Sequence, residues 1–101
     1  MRFTLDGKDI RVCFEYYYTG DPDDGTKAIN KTYADVYITE NGIVNYFSGV
    51  AQRSKRDNPS VKRGRKIALA RCFQHEELAG PENKPLRTAI WKALWHSKMK
   101  W

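Results

Sequence analysis

The dipeptide Asn41-Gly42 restricts the fold of this chain more than any other feature. Both residues accept positive φ, which a two-residue type I′ turn requires at both central positions, so the flanks read as an antiparallel hairpin. The flanks agree with that reading. Over residues 29–39, Thr32, Ala34, Val36 and Ile38 alternate with Tyr33, Asp35 and Tyr37. Over residues 43–51, Val44, Tyr46, Ser48 and Val50 alternate with Ile43, Asn45, Phe47, Gly49 and Ala51. Asp6-Gly7 repeats the turn signal between Phe3-Thr4-Leu5 and a longer run from Ile10 to Tyr18. In that run Ile10, Val12, Phe14, Tyr16 and Tyr18 share one side, opposite Arg11, Cys13, Glu15 and Tyr17.

Residues 1–52 therefore read as an antiparallel meander of three long strands and one short one. Residues 19–26 join two of the long strands. This segment carries three carboxylates, Asp21, Asp23 and Asp24, without the oxygen-ligand spacing of a calcium loop, and reads as a solvated hairpin tip. Residues 53–101 change character. Asn58-Pro59 breaks the backbone, Ser60 can cap a helix starting near Val61 or Lys62, and that helix should run to about Glu77 before Ala79-Gly80-Pro81. A second helix follows Asn83, with Pro85 in its first turn and Leu86, Ala89, Ile90, Ala93 and Leu94 on one stripe. The expected fold is α+β, one domain of 101 residues with a meander, a basic loop and two C-terminal helices.

Charge is concentrated rather than spread. The whole chain is +6, yet residues 53–71 alone hold eight bases and one acid, a local balance of +7. Arg53, Lys55 and Arg56 fall on the loop, and Lys62, Arg63, Arg65 and Lys66 on the first turns of the helix. A helix start already carries about half a positive charge, so bases placed there work against stability. Such a placement is accounted for by an anion that docks there, with free amides and guanidinium groups as ligands and Gly64 permitting close approach. Arg53, Arg56, Arg63, Arg65, Lys66 and Arg71 are the candidate phosphate ligands. Phe47 and Tyr46 are candidates to stack on a base, with Asn58 as a polar contact.

Other chemistries find little support. Cys13, Cys72, His75 and His96 are scattered without paired ligand spacing, so no zinc site is expected. His75 beside Glu76 and Glu77 has no nucleophile motif to serve, and no enzymatic activity or cofactor is expected. There is no ribonucleoprotein octapeptide, no GXXG loop and no zinc-finger spacing. The two cysteines read as reduced thiols. No signal-like or membrane-length apolar run occurs, which points to the cytoplasm and away from a membrane partner. The surplus of aromatic residues, six Tyr, four Phe and three Trp, suggests a homo-oligomer.

Asp57-Asn58, the run Gly64-Arg65-Lys66-Ile67-Ala68-Leu69-Ala70-Arg71 and Arg87-Thr88-Ala89-Ile90-Trp91 resemble motifs of small phage-encoded accessory proteins, over roughly residues 43–95. In layout the chain is similar to the Thoeris anti-defence sponge proteins. That resemblance implies an oligomeric, non-catalytic protein of the infected bacterial host's cytoplasm that sequesters a cyclic nucleotide immune signal. An aromatic ring, Phe47 or Tyr46, would stack on the base, and Asn58, Arg65 and Arg71 would contribute to the pocket. Two alternatives use the same bases: an anti-CRISPR-type inhibitor that presents its basic patch to a nucleic-acid channel or to an acidic surface of a host defence protein, and direct binding of DNA or RNA.

Overall fold

A computed structural model describes residues 1–20, 27–52 and 61–96, with side chains for 1–17, 31–52 and 63–96. Four strands, β1 (Arg2–Leu5), β2 (Lys8–Gly20), β3 (Lys27–Glu40) and β4 (Ile43–Gln52), form an antiparallel sheet in the order β1-β2-β3-β4. Both tight turns have the expected backbone. Asp6 and Gly7 lie at φ 49° and 78°, and Asn41 and Gly42 at 53° and 79°. The α+β class and the meander therefore follow the sequence.

The helical half differs in one respect from the expectation of two helices. Helix α1 (Val61–Cys72) stops early, and a short helix α2 (Glu76–Ala79) and a 3-10 turn (Pro81–Asn83) precede α3 (Lys84–His96). Continuing α1 would place Glu76 one turn beyond buried Cys72 and Phe73, directing a carboxylate into the core. The chain instead tightens, with the Gln74 and His75 amides bonding three residues back to Arg71 and Cys72. His75 adopts an extended conformation, and α2 turns Leu78 inward to 2% exposure.

The helices cover one face of the sheet. α1 lies on β3 and β4, and α3 reaches β1. The core comprises Ile10 and Val12 from β2, Ala34, Val36 and Ile38 from β3, Phe47 and Ala51 from β4, and Ala68, Leu69, Cys72, Phe73, Leu78, Leu86, Ile90 and Leu94 from the helices. Two glycines set the approach of α1. A Cβ on Gly49 would stand 2.2 Å from the Ala68 carbonyl oxygen, and one on Gly64 would stand 2.9 Å from Thr32 Oγ1. Gly64 thus serves the contact between helix and sheet, a correction to its expected role at a ligand.

Arg87, from the Arg87–Trp91 motif, is likewise occupied by the fold. Its guanidinium donates to the carbonyls of Leu78 at 2.6 Å and Gly80 at 2.7 Å, holding the end of α2. Trp91 meets Phe73 edge to face with ring centroids 5.7 Å apart.

Candidate functional site

The register of the sheet decides where each candidate side chain goes. Val36 pairs with Phe47 and Tyr37 with Tyr46, so these two aromatic neighbours point to opposite faces. Phe47 belongs to the core at 8% exposure and packs edge to face against His75. It is therefore withdrawn as a base-stacking ring. Tyr46 is 52% exposed, but on the face away from the helices. The two do not form one stacking surface.

The basic residues of α1 diverge. Arg63 and Lys66, three apart, lie on the exposed outer side of the helix. Arg65 turns toward β2, where its Nε donates to the Tyr16 hydroxyl and its guanidinium carbon lies 5.5 Å from the Phe14 ring centroid and 5.4 Å from that of Tyr16. Arg71 turns the other way and donates to the Val50 carbonyl at 2.8 Å, on edge strand β4. His75 Nε2 sits 3.1 Å from the Ser48 carbonyl oxygen, two residues along the same edge. Arg71 and His75 together cap two outward carbonyls of β4, which protects the edge from strand pairing. Arg53, Arg56 and Asn58 lie outside the described residues, as does the Ser60 cap.

The structure thus keeps Arg63 and Lys66 on one surface and commits Arg65 and Arg71 to the sheet. No acid occupies the first turn of α1. Two ion pairs, Arg2–Asp9 and Lys8–Glu40, join strand residues. Phe14 and Tyr16, both half-buried on β2, are the rings that Arg65 meets. Their alternation with charged neighbours marked them as core-side residues, but only the tertiary contact with Arg65 associates them with the basic turn.

A second constellation was not legible as such. On the face away from the helices, Asp35 is 2% exposed. The Tyr46 hydroxyl donates to its Oδ1 at 2.6 Å, and that bond, made first of all with a carboxylate, raises the Tyr46 phenol above its usual range. Glu15 is hydrogen-bonded to Asp35, which holds the Glu15 carboxyl above the usual carboxylate range. Tyr17 and Tyr33 meet edge to face at 5.1 Å, and Tyr37 and Tyr46 are tilted at 5.0 Å. Alternation placed these residues on one side of their strands, yet a carboxylate closed in by neighbouring side chains is visible only in three dimensions.

Burial, chiefly, pushes the Cys72 thiol up to about 12, so it stays protonated and unreactive at neutral pH. Among the described residues no group of His, Cys, Asp and Glu could hold a metal ion, and no helix is long and apolar enough to cross a membrane. Neither a family profile, nor a curated protein, nor a solved structure matches the chain.

Proposed function

We propose that this protein is a non-enzymatic binding protein that engages a phosphate-bearing partner through the outer face of α1. The observation that carries this reading is the exposed pair Arg63 and Lys66 on a helix with no acid in its first turn, following Arg53, Lys55 and Arg56 in sequence. The helix dipole adds to their field, and both favour an anion at that end. The geometry supports an extended polyanion, such as a nucleic-acid backbone, better than an enclosed nucleotide. Phe47 is in the core, Tyr46 is on the far face, and Arg65 and Arg71 are engaged with the sheet, so these residues do not close a pocket around a base and its phosphates.

In the setting that the resemblance implies, such a protein is a phage anti-defence factor acting on a phosphate-rich component of bacterial immunity. Capture of a cyclic nucleotide signal is the second reading. It is favoured by the half-buried rings of Phe14 and Tyr16 stacked with Arg65 beside the basic turn, a platform on which one base can lie.

Titration with a short oligonucleotide and with a panel of cyclic nucleotides, at several salt concentrations, tests both. For the polyanion, log affinity should fall linearly with log salt, by roughly one unit of slope per phosphate contact. The double charge reversal Arg63→Glu with Lys66→Glu should abolish binding without lowering the thermal midpoint, since acids suit a helix start better than bases. Tight, weakly salt-dependent binding of a cyclic nucleotide would select the second reading. Binding of neither by folded protein, or binding indifferent to the reversal, would remove the proposal.

A further inference from the structure

Among the described residues no helix covers the second face of the sheet, although it carries much of the exposed apolar surface. Tyr17 is 56% exposed, Val44 57%, Tyr46 52% and Val50 37%, and all four point to this side. Scattered apolar residues at a surface need no explanation, but here Val44 and Tyr46 stand with Tyr37, and Val50 and Tyr17 with Tyr33, as two apolar groups on either side of the row Cys13, Asp35 and Ser48. We propose that this face is the interface with a second copy of the chain, the two sheets packing face to face with their helices outward. This inference is independent of the polyanion reading, because the outer face of α1 remains accessible on both sides of such a pair.

Two features favour a second copy as the occupant. The first is size. Three strands spaced ~4.8 Å apart, over about ten residues rising ~3.3 Å each, with the short β1 beside them, give a face of roughly 540 Å² in projection. A standard interface takes about 800 Å² of accessible surface from each partner, and a corrugated sheet face has more accessible than projected area. The patch is thus on the scale of one partner's share.

The second feature is charge. On β2 the residues of this face run Arg11, Cys13, Glu15, with Cys13 level with buried Asp35. A two-fold axis crossing the strands at Cys13 sets each Arg11 opposite Glu15 of the second copy, and the reverse, giving two reciprocal ion pairs. Arg11 also lies over the Tyr37 ring, 5.8 Å from its centroid, so its guanidinium is held at the face rather than swung into solvent. The hydrogen bond from Tyr46 gives the Asp35 carboxylate a donor that it keeps when water is expelled. Packed sheets lie ~10 Å apart, which the tyrosine pairs can fill.

Sedimentation equilibrium and native mass spectrometry of the full chain over a concentration series provide the test. The expected result is a monomer–dimer equilibrium. Val44→Lys, at an exposed position, should give a monomer whose thermal midpoint matches that of the wild type at concentrations where the wild type is itself monomeric. Arg11→Glu should weaken association roughly tenfold or more, and Arg11→Glu with Glu15→Arg should restore it, since reciprocal pairs tolerate exchange. A folded wild-type chain that stays monomeric at its highest soluble concentration would overturn the inference and leave the face to a different partner. So would a dimer that survives Val44→Lys and Arg11→Glu undiminished, since it would be using another surface.

Discussion

Gly49→Ala tests the contact on which the two layers of this fold depend. The added methyl would lie 2.2 Å from the Ala68 carbonyl oxygen, 2.3 Å from the Cys72 amide nitrogen and 2.8 Å from Cys72 Cα, all of them backbone atoms. No rotamer change relieves such contacts. An ordinary approach begins near 3.4 Å, so α1 must lift or slide by roughly 1.2 Å at that point. A gap of ~0.5–1 Å already forfeits a quarter to a half of each dispersion well around Ala68, Leu69 and Cys72, all fully buried. Overpacking of this kind costs about 1–3 kcal/mol, and the backbone origin of the clash puts it at the upper end.

Alanine also restricts the unfolded chain, which returns about 0.4–1 kcal/mol. The net loss is then about 2 kcal/mol. For a chain of this size each kcal/mol moves the midpoint by about 4–8 °C, so thermal unfolding followed by circular dichroism should show a drop of roughly 8–16 °C. Gly64→Ala is the internal comparison. Its methyl would meet the Thr32 side chain at 2.9 Å, a contact offset by the helix propensity gain of about 1 kcal/mol, so its midpoint should stay near that of the wild type. A Gly49→Ala protein melting within about 2 °C of the wild type would refute the claim that α1 rests directly on β4.

Two further outcomes follow from the face away from the helices. Tyr46→Phe removes the hydroxyl that donates to Asp35 at 2.6 Å and should cost about 1–3 kcal/mol in urea unfolding, because it withdraws a hydrogen bond from a carboxylate that is 2% exposed. Glu15 titrates above its ordinary range in the folded chain because of its hydrogen bond to Asp35, so the stability it contributes is present below the unfolded carboxylate pKa and is lost as pH rises through the raised folded value. Thermal midpoints measured from acid to neutral pH should therefore show the wild type losing ground to Glu15→Gln across that window, whatever the lowered Asp9 carboxyl adds to both. The Glu15→Gln amide has no proton to lose there, so a difference between the two that stays constant with pH would refute this reading.

The strands were legible because their signals are local. Asn41-Gly42 and Asp6-Gly7 fix two turns whose geometry few other residues accept, and alternation does the rest. The two-residue turn also sets parity. Glu40 pairs with Ile43, so Val36 must pair with Phe47 and Tyr37 with Tyr46, which by itself separates Tyr46 from Phe47. A common stacking role for the two was excluded by a rule already visible in the sequence. The early end of α1 was legible in the same way, from Glu76 falling where an inward apolar residue would be needed.

The basic run was equally visible, since charge density is a property of composition along the chain, but the direction of each side chain was not. Arg65 and Arg71 flank the sheet-facing side of α1, and that side was chosen by Gly49 and Gly64, small residues that make no hydrophobic signal and matter only when another backbone approaches. In β4 the two alternations, Val44, Tyr46, Ser48 and Val50 against Ile43, Asn45, Phe47, Gly49 and Ala51, are similarly apolar, so side-chain hydrophobicity did not choose between them. Register with β3 and room for a helix did. The sequence by itself determined the elements, their turns and the seat of positive charge, all of which depend on neighbours a few residues apart. Tertiary structure alone decided which face the helices cover, which arginines the fold consumes and which carboxylate it buries, because those depend on atoms brought within contact distance from positions far apart in the chain.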